Sequence, residues 1–279
     1  MNNLAPLPAR QVTSSLVRHD ALLSQERAAG LRRLVIMGGI GLICIAALAI
    51  TGFFDAERFN DGLPALGQLF SEMVPPDFGR WRNWMRPLLD TLAMSIAGTV
   101  LAVILSLPLA ILAAPNTTPH PILMHIVRTL LSFLRSVPEI IMGILFVAAV
   151  GFGALPGVLA LALHSVGMVG KFYAEAIEHV DPRPLEAARA AGATSVQVIS
   201  HAVLPQVLPQ LADVTIYRWE YHFRASAVLG IVGAGGIGFE LIAALRLIKY
   251  DQVSAILLTI LACVLIVDAI GAWLRRNLK

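Results

Sequence analysis

Charge is scarce in this sequence. Of 279 residues only 14% are Asp, Glu, Lys or Arg, against about a quarter in an average soluble domain. Cysteine is nearly absent as well, with Cys44 and Cys263 each inside an apolar run. Two such thiols argue against a disulfide-stapled scaffold or a Cys-built metal site and suit buried, inert side chains. There is no HExxH and no Cys/His cluster, so the familiar zinc-site motifs are missing. The net charge of +3 is spread over tails and loops. Without a basic stripe interleaved with aromatics it does not point to nucleic acid. Gly233, Gly235 and Gly238 satisfy GxGxxG, yet the strands and soluble helices of a dinucleotide fold have no room here. No Lys-Ser/Thr pair follows those glycines, so they do not make a P-loop. The run Val228–Gly238 fits a flexible outer loop or a close-packed helix end, and its successive N–H groups could also form an anion nest.

Apolar residues are what the chain has in excess. They make up 57% of it and gather into runs long enough to cross a hydrocarbon layer of about 30 Å. The pattern predicts an all-α, polytopic transmembrane helical bundle of about six spans, at residues 34–54, 88–114, 122–150, 157–172, 211–232 and 252–274. Residues 1–33 form a polar tail in which Arg10, Arg18, Arg27, Arg32 and Arg33 outnumber Asp20 and Glu26. The positive-inside rule places this tail in the cytoplasm. The first apolar run starts late and lacks a small-x-small site, so no cleaved leader is expected. Residues 55–87 make a mixed-charge outer loop, with Trp81 and Trp84 on an interfacial shelf. Arg275, Arg276 and Lys279 mark a cytoplasmic tail at 275–279, so six spans put both termini inside. Arg246 and Lys249 fall on the outer side and run mildly against the rule.

The charges inside spans carry the chemical interest. The segment 122–150 is too long and too polar for a simple span and holds Arg128, Arg135, Pro138 and Glu139. Pro138 cannot donate to the carbonyl of Leu134, so the helix should kink or break there. Arg128 and Arg135, seven apart, share a face. Either Arg128 snorkels to the surface and Arg135 pairs with Glu139, or these groups gate or line a path. His164 is read as hydrogen-bonded within the bundle in preference to a proton relay. In the fifth span, Arg218 and His222 are four apart, as are Glu220 and Arg224, so each pair can meet on a helix. Charges this deep cost about 3 kcal/mol each. They form either a polar strip along the passage of an anion or a set of salt bridges that hold the bundle.

One polar, alanine-rich interruption stands between the fourth and fifth spans. Asp181 fits an N-cap with Pro182 and Pro184 in the first turn. Leu185 to Ala191 is a short run of helix formers, and Gly192 suits a left-handed closing residue. Thr194 with Gln197 fits a capping box for a second short helix, whose reach Pro205 limits. The spacing Glu186-Ala-Ala, three residues, Gly192, then nine residues to Ala202-Val-Leu-Pro205 resembles the cytoplasmic loop of ABC importer permeases. Ala202 stands where that family usually has a larger apolar residue. Arg135-Ser-Val-Pro-Glu139, Tyr217-Arg-Trp-Glu220 with Arg224-Ala-Ser, and Val228–Gly238 look like the phosphonate branch, which includes importers of phosphite and hypophosphite. Glu220-Tyr-His-Phe223 departs from that branch, which leaves the anion open.

The resemblance covers residues 88–274 and implies a type I ABC importer permease fold in the bacterial inner membrane. It implies ATPase subunits docking on coupling helices at about 181–205, through Glu186, Ala187, Ala188, Gly192, Leu204 and Pro205. It implies a second permease copy, as a homodimer, and a periplasmic binding protein that delivers a phosphorus oxyanion. Arg135, Pro138, Glu139, Arg218, Glu220 and Arg224 are the candidates for pathway or gating. No cofactor is expected in this chain, because ATP and Mg²⁺ would be bound by the partner ATPase. The alternatives are a permease for another small solute such as methionine, an ion-coupled secondary transporter, and a membrane enzyme, for which the scattered Ser and His residues make no constellation.

Overall fold

Proline and glycine set where this chain breaks, and the breaks set its architecture. A computed structural model describes the backbone of residues 9–278, with the side chains of Glu26 and of residues 29–278. Arg10, Arg18, Asp20, Arg27 and Lys279 of the expected tails lie outside the described side chains. All regular structure among the described residues is helical.

The chain divides into two units, one up to Gln68 and one from Leu69 onward. The first holds α1 (Ala9–Ile50) and most of α2 (Ala56–Glu72). Within α1, Ala29–Ile50 is long and apolar enough to cross a membrane, and none of it is buried against protein. The chain turns after α1 at Gly52, whose φ is +76°, and Arg58 pairs with Asp55 at 3.0 Å. Much of the stretch expected as loop is therefore the helix α2.

The second unit contains α3 (Trp81–Ala113), α4 (Pro121–Ser136), α5 (Glu139–Val150) and α6 (Ala154–Glu178). It continues with α7 (Pro182–Ala190), α8 (Ser195–Val198), a π turn at Ile199–Val203, and α9 (Leu204–Leu229). A second π turn at Gly230–Ala234 leads into α10 (Gly236–Arg246) and α11 (Tyr250–Asn277). Ala29–Ile50, α3, α6 and α11 are long, apolar helices. The α4–α5 pair bends by 85°, and Ser195–Ala234 meets α10 at 59°. Counting each bent pair as one span gives six.

The first break falls where Pro138 was expected to make it: Val137 and Pro138 leave helical geometry, and α5 restarts at Glu139. The second is built from glycine. Gly233 and Gly235 have φ of +101° and +78°, a region that side-chain-bearing residues rarely adopt. A Cβ on Gly238 would lie 1.8 Å from the carbonyl oxygen of Ala227. The run is thus a close-packed helix end and not a flexible loop.

Helix α6 is the centre of the unit. Small residues let its neighbours approach: a Cβ on Gly167 would lie 2.6 Å from the carbonyl of Leu131 in α4, and Gly98 of α3 abuts Leu161. Close backbone approach of this kind is how helices pack where the solvent offers no hydrophobic drive. Three buried clusters stack along the bundle. One joins α3, α4, α6 and the α7–α9 region around Leu131, Tyr173, Leu185 and Val203. The middle one gathers Met94, Met142, Leu161 and Leu229. The third packs Trp84 on Ile237, Val253 and Ile256. Trp84 is 3% exposed, so α3 begins before the expected 88 because Trp84 belongs to the core and only Trp81 is surface-lying. Helix α9 likewise starts at Leu204, ahead of the span expected from 211, and its backbone runs on from the π turn, with the Leu204 N–H donating to the Ile199 carbonyl just before Pro205.

Candidate functional site

The polar connector folds by local rules. Asp181 caps α7 by accepting from the Arg183 backbone N–H at 3.0 Å. The Arg183 guanidinium also grips the Asp181 carboxylate, and these hydrogen bonds hold that carboxyl below the usual range. Gly192 closes the helix with φ +83°. The capping box is present: Thr194 Oγ1 accepts from the Gln197 N–H, and Gln197 Oε1 from the Thr194 N–H at 2.8 Å. Leu185 is the buried anchor of α7. Arg189 ties the helix to the α3–α4 turn by donating to the Asn116 carbonyl at 3.1 Å, and Asn116 donates to the carbonyl of Ile177 at 2.6 Å. Glu186, Ala187, Gly192, Leu204 and Pro205 are exposed, and Ala188 is half-buried. Val196 is a large apolar side chain left 75% exposed at the same tip. A rigidly held tip with small residues and one apolar knob is suited to docking.

Deep in the bundle runs a chain of hydrogen bonds. Arg218 Nε donates to Ser165 Oγ at 2.7 Å. Ser165 Oγ meets His222 Nε2, His222 Nδ1 meets Thr99 Oγ1 at 2.7 Å, and Thr99 Oγ1 donates to the Ser95 carbonyl at 2.7 Å. Each hydroxyl has one proton. Thr99 spends its proton on Ser95, so it accepts from Nδ1–H, and Ser165 donates to Nε2. The bonds therefore assign His222 its neutral Nδ1–H form, with every donor in the chain pointing away from Arg218. Ser165 and His222 are fully buried and Arg218 is 3% exposed. Although Ser165 and His222 are paired like a nucleophile and its base, a site this closed with its oxygen already engaged by Arg218 serves packing, not catalysis. The Arg218 guanidinium lies 4.2 Å over the Tyr221 ring, and Tyr221 O–H donates to Glu139 Oε1 at 2.9 Å. The chain so links α3, α6 and α9 to the first residue of α5. His164 Nδ1 bonds the Val137 carbonyl at 3.1 Å, a bundle hydrogen bond as expected.

The intrahelical pairs expected from spacing do not form. Glu220 pairs instead with Arg275 of α11 at 2.8 Å, and Arg224 with Asp268 of α11 at 2.8 Å. The Arg224 pair is half-exposed at 43% on both sides, not buried. Arg135 does not reach Glu139, because the 85° break between them removes the one-turn geometry. The predicted pathway residues therefore occupy three places. Glu139 and Arg218 meet through Tyr221, Glu220 and Arg224 staple the α9–α11 seam, and Arg135 lines a groove between α4 and α6. In that groove Arg128 donates to the Ala113 carbonyl at 2.8 Å and pairs with Glu178 at 3.1 Å. Pro138 contributes the break itself. Thr99, Ser165, Tyr221 and Lys171 were not singled out from the sequence, since each looks ordinary until its partner is known, and Arg275, expected only as a tail charge, lies in the last turn of α11 and pairs with Glu220.

The sequence matches the family described as "Binding-protein-dependent transport system inner membrane component" over residues 106–279. It is 64% identical over 239 residues to the phosphite transport system permease protein PtxC of Stutzerimonas stutzeri, covering 86% of each chain. It is 42% identical over 225 residues to the phosphate-import permease protein PhnE of Mycolicibacterium smegmatis, covering 81% of this chain and 42% of that protein. In fold it is similar to a chain solved in inward facing conformations of the MetNI methionine ABC transporter. That match has a TM-score of 0.62 at 24% identity, over 70% of this chain and 96% of the other.

Proposed function

The chain belongs to the family of binding-protein-dependent transport system inner membrane components, and from that premise we propose that it is the permease subunit for a phosphorus oxyanion, with phosphite first among the candidates. The observation that carries the substrate class is the 64% identity to a phosphite permease across 86% of both chains. Hypophosphite, alkylphosphonates and phosphate remain in the same class. The α7–α8 tip faces the cytoplasm, with both termini on that side, and receives a separate ATPase that binds ATP and Mg²⁺. Glu186, Ala187, Ala188, Gly192, Leu204 and Pro205 make that contact. Two copies of the chain form the pathway, and a periplasmic binding protein delivers the anion. ATP-driven closure of the ATPase pair moves α7, and the movement reaches the membrane through the π turn into α9. From α9 it passes through Arg218 and Tyr221 to Glu139 at the α4–α5 break.

The test is uptake by the reconstituted complex. Proteoliposomes holding permease, ATPase and binding protein should take up phosphite with ATP and not without it, and methionine in neither case. Glu186→Lys or Gly192→Pro should leave the protein inserted but lose the ATPase on affinity purification and lose uptake. Phosphite uptake independent of ATP, or unchanged uptake in both variants, would overturn this assignment.

A further inference from the structure

We propose that the groove between α4 and α6 is a binding site for a tetrahedral phosphorus oxyanion, with Arg135 as the cation that receives it. The groove encloses about 220 Å³ and is lined by Arg128, Ser132, Arg135, Lys171, Glu175 and Glu178, with small residues such as Gly167 in its wall. Three cations face two carboxylates. Arg128 is held by Glu178 at 3.1 Å and Lys171 by Glu175 at 3.4 Å. Among the described residues Arg135 has no ion pair and no hydrogen bond, so the groove carries one uncompensated positive charge. Arg135 and Ser132 are exposed at the groove, so the guanidinium is open to an incoming anion, and an unpartnered cation within a membrane-spanning segment marks an ion path or a ligand site.

The placement is built. Gly167 lets α4 press on α6 at the turn that carries Arg135: a Cβ there would lie 2.8 Å from the Arg135 backbone nitrogen. The stem is fixed while the guanidinium stays free, and its fork suits two oxygens of one anion. Ser132, one turn earlier on the same face, offers a hydroxyl with no bond to another described residue. Lys171, half-exposed in its 3.4 Å pair, can turn a proton toward a ligand. The volume suits an anion of a few heavy atoms with its water and is small for a drug-sized molecule. One net charge also favours brief retention, as transit requires. The choice of phosphorus rests on the permease reading above. The same chemistry is offered by a free oxyanion and by the phosphodiester headgroup of an anionic lipid, since basic pockets between membrane helices take such headgroups.

The experiment is native mass spectrometry of the intact importer in detergent, titrated separately with phosphite and with short-chain phosphatidylglycerol, and phosphatidylcholine as control. Wild type is compared with Arg135→Gln, Arg135→Lys and Lys171→Gln. Arg135→Gln should weaken the adduct roughly tenfold or more, the loss of a charge-assisted contact. Arg135→Lys should keep part of it, and Lys171→Gln should lose less. A phosphite adduct that follows this order assigns the site to the free anion. A phosphatidylglycerol adduct that alone follows it assigns the same site to a lipid headgroup. Adducts indifferent to Arg135 with both probes overturn the proposal, and if wild type still drives ATP-dependent phosphite uptake the permease reading stands without it. No oxyanion uptake by wild type removes the permease reading, and the lipid titration then decides the site by itself.

Discussion

Ser165→Ala should be among the more damaging conservative substitutions in the bundle. Ser165 Oγ accepts from Arg218 Nε at 2.7 Å and bonds His222 Nε2, with both serine and histidine fully buried. Removing the hydroxyl leaves little cavity but orphans two groups. The guanidinium loses a charge-assisted bond worth about 1.5–3 kcal/mol, and an imidazole nitrogen goes unpaired at about 1–3 kcal/mol. Arg218 would keep the Met168 sulfur at 3.0 Å and the Tyr221 ring, neither a strong acceptor. The expected cost is roughly 3–5 kcal/mol. Ser106→Ala is the matched control, because Ser106 is equally buried on the same helix pair but bonds the Val166 carbonyl at only 3.4 Å. It should cost under about 1 kcal/mol. Reversible unfolding in mixed micelles, followed by helical circular dichroism, gives both values. Thr99→Val combined with Ser165→Ala should depart from additivity by more than about 0.5 kcal/mol, since both act on His222. Equal costs for the two serines, together with simple additivity, would refute the idea that one directed hydrogen-bond chain organises this core.

Gly238→Ala sets a Cβ 1.8 Å from a carbonyl oxygen of α9, so α10 must move away. A loss of about 1–3 kcal/mol or more should show as a lower unfolding midpoint in detergent, which an unchanged midpoint would contradict. Arg275→Gln strands Glu220, whose side chain is 7% exposed, and should destabilise strongly; adding Glu220→Gln should restore most of the loss in the same assay. If the double variant stays as weak as the single, the pair does more than hold the seam. Asp181 has its carboxyl held below the usual range near 3.8, chiefly by the hydrogen bond from Arg183. Its contribution to α7 is present above that range and fades only as pH falls below it. ATPase capture should therefore be flat from about pH 8 to about pH 5, and a midpoint near 6 would show that another group controls the tip.

The connector was legible because its determinants are local. A cap two residues from its acceptor, a glycine at φ +83° and a reciprocal Thr194–Gln197 box need nothing beyond their neighbours. Pro138 was legible for the same reason. The partners of Arg218, Glu220 and Arg224 were not. The one-turn pairing rule describes a helix in water, where a neighbour on the same face is the nearest help. Inside a bundle each face looks at another helix, and the help for Glu220 and Arg224 came from Arg275 and Asp268 on α11. Helical periodicity gives the face on which a charge lies, but not what stands opposite.

Arg135 and Arg218 show how far that limit reaches. Both are arginines in charged motifs within spans, both have a carboxylate or imidazole four residues on, and both invited the same two readings. The structure separates them by one feature, the bend after Arg135. Because α5 leaves α4 at 85°, Glu139 turns toward Tyr221 and Arg135 keeps no partner among the described residues, while the unbroken α9 carries Arg218 inward onto Ser165. A locked cation and a free one thus arise from the same local pattern. Pro138 announces the bend, but not its angle, and the angle is what separates Arg135 from Glu139.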